Sequence, residues 1–250
     1  MNSIRNIIVT FASGNPIIVM DDKDRENEGD LMIAGLLITS KQMAFMVRNT
    51  TGIICAATTH EHVMKLDLQP MVLKNTDVHQ TLFTVSVDSN MTTTGVSASD
   101  RALTLRTLAI SDSTSKSFRR PGHIFPLISR GIQNRKGHTE AGVALCHITG
   151  LPPIACISEL VNDDGSMSRI TDCRKFSNKY NIPLCSVDDI FNYFQRIKLI
   201  SPEIKLVPQL KNAINLKIGS QDNEIHTHVQ LFYKLGVQHI VVQYGNSDCE

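Results

Sequence analysis

Ile17-Ile18-Val19-Met20 runs directly into Asp21-Asp22-Lys23-Asp24-Arg25-Glu26-Asn27-Glu28-Gly29-Asp30, and that into the apolar stretch Leu31 to Ile38. Two apolar runs around a polar segment read as two buried strands joined by an acidic loop. Six carboxylates within ten residues repel one another unless water or cations compensate. Hard carboxylate oxygens suit Mg2+, which keeps several waters and takes only one or two protein carboxylates. A solvated turn is the plainer reading of the same residues. An EF-hand fits poorly: with Asp22 as position 1, Asn27 stands where the glycine of the sharp turn belongs.

The flanking segments mix helices with short strands. Ser3 to Ser13 reads as a helix with Ile4, Ile7, Ile8 and Phe11 on one face, closed by Gly14. Ser40 is a candidate cap for a helix through Arg48, and Ile53 to Thr58 and Leu82 to Asp88 read as strands. Ser97 to Asp100 fits a capping box ahead of Ala102, Leu105, Leu108 and Ala109. A second clear helix begins at Thr139, with Ala141, Ala144, Leu145 and Ile148 spaced as one face and Gly150 at its end. Ile154 to Val161 and Leu184 to Val187 read as strands, and Asp172 to Lys179 and Asp188 to Arg196 as helices. The strands are not separated by regular helices, so the pattern predicts an α+β fold: a mixed β-sheet covered by helices, in three layers. Texture changes near Ile200, where Ser201-Pro202 and Pro208 punctuate the chain. Residues 1–198 are therefore expected to form one domain and 199–250 an extension. That extension holds a predicted helix, Thr227 to Leu235, and a predicted strand, Ile240 to Tyr244.

Composition narrows the function classes. The 250 residues carry 25 Lys and Arg against 24 Asp and Glu, a formal charge of +1, so nothing supports a general nucleic-acid binder. Asn6 to Met20 and Ala141 to Ser158 are uncharged but broken by Gly and Pro, and no secretory signal is evident. No membrane role is expected. Six cysteines (55, 146, 156, 173, 185 and 249) form no C-x-x-C pair, so they read as reduced thiols and a cytoplasmic location is expected. G-x-x-x-x-G-K-[ST], G-x-G-x-x-G and G-x-S-x-G are all missing.

Three further places offer chemistry. Arg135-Lys136-Gly137-His138-Thr139-Glu140 opens the best helix, where backbone N–H groups and two cations suit an anion. His138 is a candidate metal ligand or acid–base group, and Thr139 is equally an N-cap. Arg119-Arg120-Pro121-Gly122-His123 places a histidine in a basic loop, read either as a surface residue or as a group that titrates near neutrality or meets a phosphate. Glu159 is the only charged residue from Ala155 to Val161, so it is either paired or perturbed.

Five ordered blocks together resemble the 3,4-dihydroxy-2-butanone 4-phosphate synthase family of riboflavin biosynthesis. They are DDKDRENEGD (21–30), TTTGVSASDRALT (92–104), FRRPGHIFPL (118–127), RKGHTEAGV (135–143) and ELVNDDGSM (159–167). The resemblance runs from about Ile4 to Arg196. It implies conversion of ribulose 5-phosphate to 3,4-dihydroxy-2-butanone 4-phosphate and formate by a homodimer with shared sites, using Mg2+ or Mn2+, two ions per site. It implies Glu26 and His138 as metal ligands. Arg25, Glu26, Asp30, Arg135, Lys136, Gly137, His138, Thr139 and Glu159 would hold substrate, and His123 and Glu159 would be essential for catalysis. Cys55 matches a segment near the substrate and is otherwise a buried thiol.

This chain departs from the family in places. The link from His123 to His138 is about two residues shorter than usual, Gln80 stands where glycine is common, and Ser158 where cysteine often precedes the glutamate. The stretch Lys234 to Val242 faintly resembles GTP cyclohydrolase II, yet the extension is too short for that enzyme and lacks its cysteine cluster, so no cyclohydrolase activity is expected. His226-Thr227-His228 reads as an exposed helix start or a metal site. Two other functions are kept as alternatives: a catalytically silent structural or regulatory member of the same fold, and an acidic-loop Ca2+-binding module.

Overall fold

The computed structural model describes residues 2–200, 214–218 and 240–244, with side-chain surroundings for residues 2–197. The chain divides into two compact units, Met1–Ile200 and Ser201–Glu250. The first contains α1 (Ile4–Ala12), β1 (Ile17–Met20), β2 (Gly29–Ala34), α2 (Ser40–Asn49), β3 (Cys55–Thr59), α3 (His60–Lys65), β4 (Val87–Ser89) and α4 (Ala98–Ala109). It continues with β5 (Phe118–Ser129), α5 (His138–Thr149), β6 (Ile154–Glu159), α6 (Ile170–Tyr180), β7 (Leu184–Ser186) and α7 (Val187–Ile200). In the second unit β8 (Ile214–Ile218) pairs in parallel with β9 (Ile240–Tyr244). The expected helix at 227–235 and the His226–His228 pair lie outside the described residues. No helix among the described residues is long and apolar enough to cross a membrane.

One seven-stranded sheet orders its strands β4-β5-β3-β6-β2-β1-β7. It is mixed: β1 pairs antiparallel with β2 and parallel with β7, and β3 pairs parallel with β5 and antiparallel with β6. Alternation along β6 assigns the two faces. Gly142 of α5 packs against Ala155 and Ile157, whereas Cys156 points the other way, its Sγ 3.5 Å from Met46 Sδ of α2. Phe45 of α2 then packs against Phe176 and, edge to face, Tyr180 of α6, at 5.9 and 5.0 Å between centroids. Helices therefore cover both faces, as the pattern predicted.

α5 is the central helix. The spacing predicted one apolar face, but every residue from His138 to Thr149 except His147 is buried. The helix is enclosed on nearly all sides, its polar His138, Thr139, Glu140 and Thr149 included. A Cβ on Gly142 would stand 2.8 Å from Ala155 Cβ, so glycine is what lets α5 lie close to the sheet. The expected result of Gly142→Val is a loss of about 2 kcal/mol by overpacking, read as a lower midpoint in urea with an unchanged slope.

Several boundaries differ from expectation. β2 ends at Ala34, and Gly35 to Leu37 form a buried turn against Ile154. An apolar run looks the same in either conformation. Of the expected Leu82 to Asp88 segment only Val87 and Asp88 are regular strand, in β4 (which continues to Ser89), and Phe83 and Thr84 make only isolated bridges. α2 is capped by Thr39, not Ser40, in a capping box with Gln42. The cap of α5 is Gly137, so Thr139 is its second residue. Ser97 caps α4, but the Asp100 carboxylate turns to the Thr93 hydroxyl and the Gly95 N–H rather than back to the Ser97 backbone N–H. His123 lies within the twelve-residue β5, not in a loop.

Candidate active site

Register gathers the site residues at one end of the sheet. Asp30 pairs with Glu159 across β2 and β6, Cys55 pairs with Ile157, and Phe125 with Cys55. Asp30, Cys55, Leu127, Ile157 and Glu159 thus share one face, the face that meets α5. A one-residue slip in any of these strands would turn its contribution away. The N-terminus of α5 brings His138 and Thr139 against this face. Together with Arg25, Glu26, Thr81, Phe83 and Arg135 they wall a cavity of about 140 Å3.

The acidic loop is held in shape by Asp21. One of its oxygens accepts from the Glu28 N–H (2.8 Å), the other from the Glu26 N–H (3.1 Å) and Arg25 Nη1 (2.7 Å). Arg25 also reaches Glu26 at 2.6 Å, and Arg169 anchors the loop from outside through the carbonyls of Glu26 and Asn27. Asn27 completes the turn with φ +56°, a conformation asparagine tolerates. The loop is a closed β1–β2 connection, unlike a calcium loop between two helices.

His138 Nε2 stands 3.1 Å from the Val19 carbonyl. A carbonyl only accepts, so Nε2 carries the hydrogen and Nδ1 faces the carboxylates, 3.5 Å from Asp30 and 3.7 Å from Glu26. Burial alone would lower the His138 pKa, but Asp30, Glu26 and Asp21 outweigh it and push it up to about 9. Burial drives Asp30 up to about 8, opposed by His138 and reinforced by Glu159 and Glu26. Glu26 goes the other way: His138 and Arg25 outweigh burial and hold it at about 2. The carboxylates around Nδ1 therefore favour positive charge there, whether a proton or a cation.

These residues fit a hard divalent cation. Ligand atoms of Asp21, Glu26 and His138 lie within 4.8 Å of one another, and buried Asp30 Oδ1 has no hydrogen-bond partner. A histidine whose second nitrogen donates to a backbone carbonyl is oriented as metal-ligating histidines are. Oxygen donors with one imidazole suit Mg2+ or Mn2+ better than a soft metal.

The expected residues do not all converge. Arg25, Glu26, Asp30, Cys55, Arg135, His138, Thr139 and Glu159 line the cavity; Lys136, Gly137 and His123 do not. Lys136 pairs with Asp188 at 2.7 Å and lies over the Phe191 ring. Gly137 is buried beneath the Arg135 guanidinium. Glu159 accepts from the Thr51 hydroxyl at 2.7 Å. Cys55 is 4% exposed and burial pushes its thiol well up, so it is a neutral wall. His123 is half-exposed on β5, its Nδ1 2.8 Å from Asp88 Oδ2, while Asp88 Oδ1 accepts the His123 N–H at 2.9 Å. The sequence reading missed Asp88, Thr81 and Phe83, and left Asp21 without a role. Asp88 and His123 are 35 residues apart, and no local spacing signals that pair.

Comparison with known proteins identifies the family. The family profile described as 3,4-dihydroxy-2-butanone 4-phosphate synthase matches residues 5–193. A protein of that name from Saccharomyces cerevisiae is 46% identical over 205 residues, covering 77% of this chain and 98% of its own. The crystal structure of a 3,4-dihydroxy-2-butanone 4-phosphate synthase in complex with two magnesium ions superposes with a TM-score of 0.77 at 42% identity, covering 79% of this chain and 99% of that one. A two-domain 3,4-dihydroxy-2-butanone 4-phosphate synthase from A. baumannii aligns with all of this chain and 83% of its own, at a TM-score of 0.75 and 26% identity. With its fold, its family profile and these relatives in agreement, the chain belongs to the 3,4-dihydroxy-2-butanone 4-phosphate synthase family.

Proposed function

We propose that this protein converts D-ribulose 5-phosphate to 3,4-dihydroxy-2-butanone 4-phosphate and formate, using Mg2+ or Mn2+, as a metal-dependent lyase. The observation that carries the reading is the cluster of Asp21, Glu26 and His138 beside the unpartnered Asp30 oxygen, in a cavity also walled by Arg135 and Glu159. Glu26 and His138 are the proposed metal ligands. The metal supplies Lewis-acid stabilisation of charge developing on the substrate's oxygens.

The chain's own groups supply positioning and proton transfer. Arg25, Arg135 and Thr139 present cationic and polar groups to an anionic substrate. A proton α to the ketone must be removed, and later protons move as water and formate leave. Glu159, with one oxygen held by Thr51, is the group proposed for such work. His123 has its Nδ1 fixed by Asp88, which leaves Nε2 as the working nitrogen. It lies outside the cavity of its own chain, so the proposed arrangement is a homodimer in which each site takes His123 from the partner subunit. Lys136 and Gly137 shape the loop that carries Arg135 and His138. The five described cysteines are buried and unpaired, which supports a reducing, cytoplasmic setting. No cyclohydrolase activity is proposed for residues 199–250.

The test is formate release from ribulose 5-phosphate by the purified full chain with Mg2+, with and without chelator. Formate that appears with metal and stops on chelation is the expected result. A folded dimer that releases none with metal present would sink the reading and leave a catalytically silent member of the fold.

A further inference from the structure

Glu140 does not line the cavity. It stands in the first turn of α5, 1% exposed, and both of its oxygens are committed. Oε2 accepts from Arg135 Nη1 at 2.7 Å, and Oε1 accepts the backbone N–H of Arg130 at 3.0 Å. One carboxylate therefore closes the Arg130 to Arg135 loop at both ends. Gly137 makes the closure possible: a Cβ there would run into Arg135 Nη1 and lie 2.9 Å from Glu140 Oε2. The guanidinium folds back over the helix start because nothing occupies that space.

The same two arginines hold a second loop. Arg135 Nη2 reaches the His79 carbonyl and the Thr81 hydroxyl, each at 3.4 Å, and Arg130 Nη2 donates to the Gln80 carbonyl at 2.9 Å. That loop is closed internally, with Asp77 Oδ2 accepting the Thr81 N–H and Asn75 Nδ2 donating to the Thr81 carbonyl. Its Thr81 lines the cavity, and His79 Nε2 comes within 3.9 Å of Glu26 Oε1.

We propose that Glu140 is a positioning residue for the anionic end of the substrate. A guanidinium presents its donors as a rigid planar fork. Fixing Nη1 on Glu140 orients the remaining donors toward the cavity and the 79–81 loop, so the charge that meets the substrate phosphate is set before binding. The inference rests on the sugar-phosphate reading of the cavity. A purely structural Glu140, an acid in the first turn offsetting the helix dipole, would act on stability alone.

The experiment measures formate kinetics and inorganic phosphate binding by calorimetry on the full chain, for wild type, Glu140→Gln, Arg135→Ala and the double variant. Glu140→Gln is expected to raise KM and weaken phosphate binding by about tenfold each, with kcat changed less than about threefold. The double variant should be no worse than Arg135→Ala alone, since Glu140 acts through Arg135. Gly137→Ala provides a variant that keeps both partners: its Cβ displaces the flexible end of Arg135, and KM should rise likewise. Unchanged KM and phosphate affinity in Glu140→Gln or, should that variant not fold, in Gly137→Ala would overturn the proposal, as would losses that add to those of Arg135→Ala. A wild type that binds phosphate but releases no formate fails the proposed function, and the phosphate arm still decides the role of Glu140.

Discussion

Glu26→Gln is expected to reduce metal-dependent formate release by about 1,000-fold or more and to abolish calorimetric Mg2+ binding. The change keeps the side chain's shape and removes one charge from the cluster of Asp21, Glu26 and His138. A hard cation in such a site depends on anionic oxygen. Loss of a preorganised charge at the reacting centre typically costs about two to three orders of magnitude in rate, and losing the ion adds to that. The variant also tests the site's electrostatics without metal. Glu26 titrates at about 2 in the fold against an ordinary 4.5. A depressed carboxyl contributes stability that is present above its unfolded value and lost as pH falls through the folded one. Metal-free wild type should therefore shed this contribution from about pH 4.5 down to about 2, and Glu26→Gln should show a flatter acid limb. Retained Mg2+ affinity in the variant would move the metal site elsewhere.

Asp88→Asn is expected to lower kcat by roughly 100-fold to 10,000-fold with little change in KM. The Asp88 carboxylate accepts both the backbone N–H and Nδ1 of His123, at 2.9 and 2.8 Å. An amide in its place offers only one acceptor oxygen, and its NH2 must then face an N–H or reverse the imidazole tautomer. In the serine-protease triad the same exchange costs about 10,000-fold through the wrong tautomer. Gly95 adds to the constraint, since a Cβ there would collide with the Asp88 carboxylate, and its φ is +84°. The histidine is thus set by a residue on another strand and by a loop that Asp100 ties down. Steady-state kinetics with a melting curve decide the outcome. A variant with a native melting temperature and more than a tenth of wild-type kcat would remove His123 tautomer control from the mechanism.

Much of the site is legible in the sequence because it lies on local patterns. The acidic loop stands out by charge crowding, the start of α5 by glycine before a periodic apolar run, and Glu159 by being the lone charge in a buried strand. Each sits where the backbone pattern changes, and such changes are written in consecutive residues. The α+β class follows from the same short-range periodicities. β5 is not legible, because Pro121-Gly122 and Pro126 read as breaks, and only its pairing with β3 and β4 holds that segment extended.

The sequence by itself determined the layered class, the main helices and which segments were candidates for chemistry. Tertiary structure alone decided which charges meet. Asp30 and His138 are separated by more than a hundred residues of chain, yet they come within 3.5 Å because β2 and α5 pack on the same buried end. Asp21, one carboxylate among six, became the framework of its loop by accepting three hydrogen bonds. Lys136, adjacent to Arg135, was drawn to Asp188 on α7 instead of the cavity. Periodicity fixes which side of an element is apolar, but the partner of a buried charge is set by strand register and by how close two elements approach, as at Gly142 and Gly137. Those are properties of the packed molecule, in which low local dielectric makes the buried pairings decisive.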